Sequence, residues 1–457
     1  MNNEFLSYIK GKDITLLGVG ISNAPLAKKL IAWGAGSVTV CDKKPKEELF
    51  ARFPFLRDID GLKFACGESY LSNIGGDLII KTPGIRFDVS ELLSAKERGS
   101  EISSEMELFF RFCPAFKIAV TGSDGKSTTT TLVYEMLKAE GKYRVFLGGN
   151  IGEPLLYRIN DIVKEDIVVA ELSSFQLHNQ NESPDIGIIT NIAPNHLDWH
   201  TSFEEYMDAK ASIFTHQSEK GIAILNADNE NSQRYLPLVK GKLRMFSRKT
   251  ECDGVYLKDG MIFVDGKEYM DSKRIKLLGL HNVENYMAAI AAVKDFVSVK
   301  SVIKVAENFS GVKHRLQLVL QKDGVKYYNS SIDSSPSRTN AALGCFTEKN
   351  VIIILGGKDK KVPFDSLSAE LAKKTKYAVL TGAAAGKIKS DVMATKEYGD
   401  GLINFVDEPD FEKAVRLAAS LAAPGDIVLL SPACTSFDRF ANFEERGNFF
   451  TQTVNLL

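Results

Sequence analysis

One short segment of the sequence combines residue types and spacing that fit the binding of a phosphate. Residues 121–128 read Thr-Gly-Ser-Asp-Gly-Lys-Ser-Thr, between an apolar strand pattern and a helical pattern. Glycines let the backbone wrap a phosphate, and the start of a helix adds positive potential. We expect Lys126 to contact the β- and γ-phosphates of a nucleotide and the Ser127 hydroxyl to bind Mg²⁺. The full phosphate-loop pattern needs glycine where Val120 stands, so ordinary phosphate-loop kinases and GTPases fit poorly.

Polar side chains follow two further apolar runs that predict strands. Glu171 comes directly after Ile167–Ala170, and a carboxylate at the end of a parallel strand reaches the ligand crevice of an α/β sheet. A hard oxygen there suits Mg²⁺, although a lone strand-end glutamate is more often solvated or caps a helix. Residues 190–200 follow another strand pattern and contain His196. A single histidine in a loop is most often an ordinary surface residue, so this segment alone does not indicate a function.

Lys210 lies in a helix that the sequence predicts from its N-terminal cap. Ser202 and Glu205 have the spacing of a capping box. Lys210 shares a helix face with Tyr206 and Phe214, and a lysine in that setting usually extends its amine to solvent. The alternative is a desolvated amine with a lowered pKa, which could react with CO₂ to form a carbamate.

The N-terminal segment contains part of a dinucleotide-binding pattern. Gly18 and Gly20 follow a predicted strand, but Asn23 stands where the third glycine belongs. Asp42 ends the next strand, where a ribose-binding carboxylate would lie. The pattern fits nucleotide or diphosphate binding and a simple tight turn about equally. It also leaves a nicotinamide-dependent oxidoreductase as an alternative, which the missing third glycine disfavours.

Alternating strand and helix patterns predict an α/β fold built from three consecutive domains. Their expected ranges are a Rossmann-like N-terminal domain at 1–110, a central ATPase-like domain with the phosphate loop at 111–311, and a Rossmann-like C-terminal domain at 312–457. A length of 457 residues agrees with about three domains. Two short strands around Asp259-Gly260 predict a hairpin within the central domain.

Composition and charge exclude several classes of protein. The 57 Lys and Arg residues balance 58 Asp and Glu residues, so no overall positive field would hold a nucleic acid. No secretory signal and no apolar stretch near the ~20 residues of a membrane helix are visible. The six cysteines are far apart, which disfavours disulfide and zinc sites. We expect a cytoplasmic monomer that binds small molecules, with no nucleic-acid or membrane partner.

Together these segments resemble the Mur ligase family, the ATP-dependent amide-forming enzymes of peptidoglycan precursor synthesis. The resemblance rests on the loop, on Glu171, on Asn-x-x-x-Asn-His-Leu-Asp at 191–198 and on Leu-His-Asn-Val-Glu-Asn at 280–285. Folylpolyglutamate synthetases share the loop. The C-terminal residues 430–447 are similar to the branch of the family that adds D-glutamate.

The resemblance implies a two-step reaction. ATP phosphorylates the L-alanine carboxylate of UDP-N-acetylmuramoyl-L-alanine, and the amine of D-glutamate then displaces phosphate from the acyl phosphate. The implied cofactors are ATP and two Mg²⁺ ions, with Lys210 carbamylated. The implied partners are these small-molecule substrates.

The family's site roles carry over onto matching positions of this sequence. The implied catalytic residues are Lys126, His196 and Lys210. The implied ATP contacts are Gly122, Ser123, Asp124, Gly125, Lys126, Ser127, Thr128, Asn282, Arg315 and Asp333. The implied contacts of the UDP substrate are Gly20, Ile21, Ser22, Asp42, Lys43, Thr82, Asn150, Ser173 and His196. The implied D-glutamate pocket is Thr339, Lys360, Ser436 and Phe443. The implied metal ligands are Ser127 and Glu171 for the first Mg²⁺, and His196 and Lys210 for the second.

Two departures from the family pattern affect these roles. Asp124 stands where the family usually has asparagine, which places an extra carboxylate beside the phosphates. Ser330 stands where relatives usually carry aspartate, and Asp333 is the candidate substitute. The lysine common in that segment is also absent, and Arg338 is the nearest cation. Two further alternatives stay open: a ligase for another amino acid or for folate, and a nucleotide-dependent switch or binding module without catalysis.

Overall fold

The strands of the described residues form three sheets. A computed structural model describes residues 2–20, 22–72, 74–178, 180–359 and 362–457. The chain divides into two compact units, Met1–Ile275 with Leu280–Glu307, and Lys276–Gly279 with Asn308–Leu457. The first unit contains two of the sheets and the second unit contains the other. The boundaries of the three expected domains stay a prediction.

The first sheet is parallel throughout and has the order β3-β2-β1-β4-β5. Its strands are β1 (Asp13–Leu17), β2 (Ser37–Asp42), β3 (Leu62–Cys66), β4 (Leu78–Lys81) and β5 (Glu101–Ser104). Its helices are α1 (Asn3–Ile9), α2 (Asn23–Ala32), α3 (Lys46–Arg52), α4 (Ser90–Glu97) and α5 (Glu105–Phe112), with a 3₁₀ turn at Pro54–Asp58. The strand order reverses between β1 and β4, which is where open α/β sheets bind ligands.

The second sheet has the order β14-β13-β12-β11-β10-β9-β6-β8-β7. Its strands are β6 (Phe116–Thr121), β7 (Val145–Gly149), β8 (Ile167–Glu171), β9 (Ile186–Ile189), β10 (Ile222–Asn226), β11 (Lys242–Ser247), β12 (Gly254–Lys258), β13 (Met261–Val264) and β14 (Lys267–Asp271). Its helices are α6 (Lys126–Glu140), α7 (Ser174–Leu177), α8 (Phe203–Thr215), α9 (Glu230–Gln233), α10 (Leu280–Val293) and α11 (Val299–Asn308), with 3₁₀ turns at Leu156–Arg158, Leu236–Leu238 and Ser272–Arg274. Because β6 lies between parallel β8 and β9, the ends of these three strands meet at one edge.

The third sheet forms the second unit and has the order β15-β16-β20-β17-β18-β19. Its strands are β15 (Gln317–Lys322), β16 (Val325–Asn329), β17 (Val351–Gly356), β18 (Thr375–Thr381), β19 (Phe405–Asp407) and β20 (Ile427–Leu430). Its helices are α12 (Pro336–Leu343), α13 (Ser368–Lys374), α14 (Ala385–Met393), α15 (Lys396–Gly399), α16 (Phe411–Ser420) and α17 (Phe443–Asn455), with a 3₁₀ turn at Asp365–Leu367. Only the edge strand β15 pairs antiparallel within the part of this sheet that the structure describes.

The observed sheets confirm the predicted α/β class, and the hairpin at Asp259-Gly260 joins antiparallel β12 and β13 as expected. The strands that the sequence predicts best, such as β17, are buried on both faces and therefore read as continuous apolar runs. The sequence pattern does not predict β3, because this edge strand is half-buried or exposed and lacks such a run. None of the described helices is long and apolar enough to cross a membrane.

The predicted capping box of α8 is only half correct. The Ser202 hydroxyl accepts the Glu205 N–H at 3.1 Å, as an N-cap should. The Glu205 carboxylate does not return to the Ser202 N–H but accepts the N–H of Thr201 at 2.6 Å. The same carboxylate also pairs with the Arg86 guanidinium, 119 residues away in the chain. This competing ion pair explains why Glu205 does not complete the capping box.

Candidate active site

The phosphate loop lies between β6 and α6, as predicted. Gly125 has a φ of 79° and precedes the first residue of α6. Glycine tolerates this left-handed backbone, and a side chain there would also collide with the Asn285 amide. The Lys126 Nζ donates to the carbonyl of Gly122 at 2.9 Å and to that of Ser123 at 3.0 Å. The ammonium therefore lies over the loop, at the positive end of α6.

The residues after β9 hold this loop in shape. Asn191 accepts the Asp124 N–H at 3.1 Å and donates to the Asp124 carbonyl at 3.2 Å. Thr190 donates its hydroxyl to the same carbonyl at 2.5 Å. The sequence predicts no separate role for Thr190 or Asn191, although both come directly after a buried strand and Glu171 likewise lies at the end of one.

The predicted ATP contact Asn282 is brought beside the loop by α10. Its side-chain oxygen accepts a hydrogen bond from the Asn285 amide at 3.1 Å, and the Asn285 oxygen faces the Thr129 hydroxyl at 3.3 Å. Asn285 belongs to the sequence motif at 280–285, which predicts no separate role for it. Its contacts show that it links α10 to the first turn of α6.

Glu171 ends β8 and is 1% exposed. Its Oε1 accepts from the Asn150 amide at 2.8 Å, whereas Oε2 is buried and has no hydrogen-bond partner among the described residues. A buried carboxylate oxygen without a donor needs a compensating ligand, and Mg²⁺ is a suitable one. The structure thus brings Asn150 and Glu171 together, and the orphaned oxygen fits the predicted metal role.

Lys210 is 1% exposed, so its amine does not extend to solvent and the snorkelling alternative is wrong. The Nζ donates to the Gly122 carbonyl at 2.8 Å. Burial, reinforced by the charge of Lys126, holds the pKa of Lys210 well below its usual range. The Asp124 and Glu171 carboxylates oppose this shift. A neutral buried amine is the form that reacts with CO₂, which fits the predicted carbamate.

Tyr206 connects the loop, Lys210 and His196. Its hydroxyl lies 2.8 Å from the Ser123 hydroxyl, and its ring centroid lies 4.6 Å from the Lys210 Nζ. The His196 ring is exposed and packs at 6.5 Å from Tyr206 and at 4.9 Å from Phe175, centroid to centroid. The φ of His196 is 54°, an uncommon value outside glycine.

No group of three or more His, Cys, Asp or Glu residues that could hold a metal occurs among the described residues. Mg²⁺ commonly binds one or two carboxylates together with water and substrate phosphates, so such a group is not required. Ser127 is buried at the start of α6. The oxygen donors of Ser127, Glu171 and a carbamate on Lys210 are chemically suitable for Mg²⁺, and His196 would add a nitrogen donor.

The N-terminal turn after β1 gathers most of the predicted UDP-end residues. Asp42 accepts the N–H of Val19 at 2.6 Å and that of Lys44 at 2.9 Å, so its carboxylate shapes the turn. The amide of Asn23 donates to the Gly18 carbonyl at 2.9 Å, which explains how asparagine replaces the third glycine.

Other predicted substrate contacts lie around this turn and in the central sheet. Thr82 packs so closely on Gly18 that a side chain at Gly18 would collide with its methyl group. Gly20, Ser22 and Lys43 belong to the same two strand ends, while Ile21 lies outside the described residues. Ser173 instead caps α7 in a capping box with Gln176.

In the second unit, Asp333 is 7% exposed and lies in a hydrogen-bonded chain of side chains. Its Oδ2 accepts from the Ser431 hydroxyl at 2.8 Å, and Ser431 lies 2.9 Å from the Thr339 hydroxyl. Burial raises the pKa of Asp333 to about 6. Ser330 accepts the Leu316 N–H at 3.0 Å.

The C-terminal segment is held by the buried Arg446, for which the sequence predicts no role. The Arg446 guanidinium donates to the Ser331 hydroxyl at 3.0 Å and to the carbonyls of Ser331 and Cys434 at 2.8 and 3.1 Å. Ser331 in turn donates to the Phe443 carbonyl at 2.8 Å. Phe443 begins α17 and Ser436 is buried, while Lys360 lies outside the described residues.

Asp333→Asn is expected to change how stability depends on pH. The folded pKa is raised above the unfolded value, so the protonated carboxyl stabilises the fold at low pH and stability falls as the pH rises through about 6. The variant lacks this titration. Relative to Asp333→Asn, the wild-type free energy of unfolding in urea should fall by about 1 kcal/mol between pH 5 and pH 8. The exposed Asp323→Asn serves as the control, and an equal response from both variants would contradict the prediction.

The fold and this site define an α/β protein whose glycine-containing loop, between a central strand and a helix, has the form of a nucleotide-phosphate site. Residues 120–293 match the Mur ligase middle domain, and residues 314–434 match the family described as Mur ligase, glutamate ligase domain. A protein of Acetivibrio thermocellus named UDP-N-acetylmuramoylalanine--D-glutamate ligase is 48% identical, covering 99% of this chain and 98% of its own length. One of the same name from Ruminiclostridium cellulolyticum is 45% identical and covers 100% of both chains. The chain belongs to the Mur ligase family.

Solved structures show the same fold at lower identity. The UDP-N-acetylmuramate-alanine ligase of Thermotoga maritima has a TM-score of 0.60 at 21% identity, covering 97% of this chain and 99% of that one. The MurF ligase of Thermotoga maritima in complex with ADP has a TM-score of 0.55 at 18% identity, covering 99% and 97%. These likenesses confirm the predicted α/β fold class.

Proposed function

We propose that this chain joins D-glutamate to UDP-N-acetylmuramoyl-L-alanine in an ATP-dependent reaction of peptidoglycan precursor synthesis. The observation that carries the proposal is the 48% identity, across 99% of the chain, to a relative with that activity in its name. The phosphate loop, the orphaned Glu171 oxygen and the desolvated Lys210 are the parts that such a reaction needs.

The reaction proceeds in two steps. The L-alanine carboxylate attacks the γ-phosphorus of ATP, which forms an acyl phosphate and releases ADP. The amine of D-glutamate then attacks the acyl carbon, so that an amide bond forms, inorganic phosphate leaves and the amine loses its proton. Both steps bring anions together, and catalysis therefore depends on positive charge fixed in place.

The chain's own groups supply that charge and its placement. Lys126 contacts the transferring phosphoryl group, and the N-terminus of α6 adds its dipole. Ser127 and Glu171 would hold one Mg²⁺, and His196 and carbamylated Lys210 would hold the other. When bound at these residues, Mg²⁺ would supply positive charge to the phosphate oxygens. Arg315 and Asn282 contact the nucleotide, with Asp333 replacing the carboxylate that Ser330 lacks.

The contacts of the UDP substrate and of D-glutamate are proposed from the positions that match the family's motifs. The contacts of the UDP substrate are Gly20, Ile21, Ser22, Asp42, Lys43, Thr82, Asn150, Ser173 and His196. The D-glutamate contacts are Thr339, Lys360, Ser436 and Phe443. A cytoplasmic location and a monomeric state stay predictions from the sequence.

A panel of three amino acids and one dipeptide tests this function. ADP release is measured with ATP, Mg²⁺ and UDP-N-acetylmuramoyl-L-alanine, in the presence of D-glutamate, L-glutamate, L-lysine or D-alanyl-D-alanine. We expect sustained release with D-glutamate alone. Equal or greater release with another member of the panel would assign the chain to a different ligase, and release without any acceptor would indicate a hydrolase.

Lys360→Ala is expected to raise the KM for D-glutamate strongly and to leave the KM for ATP nearly unchanged. An amino acid with two carboxylates needs an anchor for each, and an ammonium after the end of β17 would hold one of them. A charge-assisted contact is worth roughly 1.5–3 kcal/mol, or about ten- to a hundredfold in affinity.

The neighbouring Lys361→Ala is the matched control for this lysine. The run Lys358-Asp359-Lys360-Lys361 has the composition of a solvated basic segment. Lys360 and Lys361 lie outside the described residues. Small and equal effects of the two alanine variants on steady-state kinetics would remove Lys360 from the pocket.

A further inference from the structure

A charged contact joins the turn after β4 to the start of α8, within the first unit. The Arg86 Nη2 lies 2.7 Å from Glu205 Oε1, and its Nη1 lies 3.2 Å from Oε2, so the guanidinium bridges both carboxylate oxygens. Nη1 also donates to the Trp199 carbonyl at 3.1 Å. Bidentate pairs of this kind are strong and directional. Arg86 and Glu205 are 119 residues apart in the chain.

A second set of contacts fixes the same turn to the central sheet. The Trp199 Nε1 donates to the Gly84 carbonyl at 3.2 Å, and its ring lies 5.0 Å from the Arg86 guanidinium. From the other side, the buried Lys81 Nζ donates to the Ile85 carbonyl at 3.0 Å. The turn that begins with Thr82 is therefore braced both from its own sheet and from the loop before α8.

The charge on Glu205 is retained in this setting. The Arg86 guanidinium holds the pKa of the Glu205 carboxyl well below its usual range. His178 Nε2 lies 3.2 Å from Oε1 and His200 Nδ1 lies 3.5 Å from Oε2. Burial lowers the pKa of both rings, that of His200 to about 4, so they are neutral near pH 7. Arg86 is thus the cation that faces Glu205, and the same guanidinium also donates to Asp88 from Nε at 2.9 Å and from Nη2 at 2.7 Å.

The position of α8 affects the candidate active site, because this helix contains both Tyr206 and Lys210. Glu205 is in the first turn of the helix, Tyr206 follows it and contacts the Ser123 hydroxyl, and Lys210 contacts the Gly122 carbonyl. The Arg86 contact therefore fixes one end of a helix whose middle touches the phosphate loop.

We propose that Arg86 is a positioning residue for the ligase reaction, which fixes α8 through Glu205 and so sets Lys210 relative to the turn at Thr82. The inference rests on the proposed function, in which Thr82 contacts the UDP substrate and Lys210 holds Mg²⁺. Arg86 acts through Glu205 and not by contact with the reacting atoms. A displacement of about 1 Å at a reacting group can cost roughly a hundredfold in rate, so loss of this contact should be visible in turnover.

A double-mutant cycle of Arg86→Gln and Glu205→Gln tests the proposal. Each single variant should lower kcat/KM for the UDP substrate by roughly ten- to a hundredfold, with little change in the KM for ATP. The double variant should be no worse than the more severe single variant, because both remove the same contact. Arg86→Lys should recover part of the loss, since it restores the charge without the bidentate geometry.

The controls separate positioning from general destabilisation. Asp88 is the more exposed carboxylate on Arg86, in the same turn region, and Asp88→Asn should change kcat/KM by no more than about twofold. Circular dichroism and urea unfolding identify conditions in which every variant is folded, and the cycle is measured there. Losses that multiply in the double variant, unchanged kinetics in the single variants, or an equal loss in Asp88→Asn would overturn the proposal.

The cycle also distinguishes this inference from the proposed function. It is run with whichever amino acid the wild-type chain accepts in the panel described above. If the wild-type chain prefers another acceptor, the D-glutamate assignment is wrong. The double-mutant cycle, measured with that acceptor, still tests the positioning role of Arg86. Independent effects of the two variants in a D-glutamate-dependent enzyme contradict only the role of Arg86.

Discussion

Lys126→Ala is expected to abolish turnover without loss of the fold. The Lys126 ammonium is held over the phosphate loop by the Gly122 and Ser123 carbonyls, at the N-terminus of α6. Removal of one preorganised charge contact in a transition state typically costs roughly 10²–10³ in rate. Steady-state ADP release, with circular dichroism of the same sample, measures the effect.

Lys138→Ala provides the matched control, because Lys138 lies on the same helix and is exposed near its end. We expect this variant to retain activity. Near-normal turnover of Lys126→Ala with a native circular-dichroism spectrum would contradict the role given to the loop.

Lys210→Ala is expected to be nearly inactive and to be partly restored by acetate. The amine is buried, its pKa is lowered, and it lies beside the Gly122 carbonyl. If a carbamate on this amine supplies oxygens to Mg²⁺, a short carboxylic acid can fill the space left by the alanine variant and supply similar oxygens. ADP release is measured over a range of acetate concentrations.

Lys126→Ala is the control for this rescue, since acetate cannot replace a cation. Full activity of Lys210→Ala would exclude the carbamate. A high-resolution density map that shows a plain amine at Lys210, with both metals and substrates bound, would exclude it as well.

The parts of the site that the sequence predicts are those with local signals. The phosphate loop is read from glycine spacing between a strand and a helix, and Glu171 from its place at the end of an apolar strand. The structure places Glu171 and the loop at neighbouring strand ends, because β6 pairs with β8. Parallel strands bring their ends to one edge, so a local pattern is enough to predict this proximity.

The parts that the sequence does not predict depend on partners distant in the chain. Glu205 has the spacing of a capping box, yet a guanidinium 119 residues away competes for its carboxylate. Asn285 is one of several polar residues in a helix, and its role follows from α10 packing on α6. Asn23 stands where the dinucleotide-binding pattern has its third glycine, and its side-chain amide donates to the Gly18 carbonyl. A pattern of glycine spacing cannot predict this side-chain contact.

The most direct test of the proposed function is the acceptor dependence of ADP release, with the product analysed by mass spectrometry. The chain is incubated with ATP, Mg²⁺ and UDP-N-acetylmuramoyl-L-alanine, with and without D-glutamate. The proposal predicts one ADP and one phosphate for each D-glutamate incorporated, a product heavier by one glutamyl residue, and no sustained release without D-glutamate. Nucleotide binding with no D-glutamate-dependent release, or release without a glutamyl product, would contradict it.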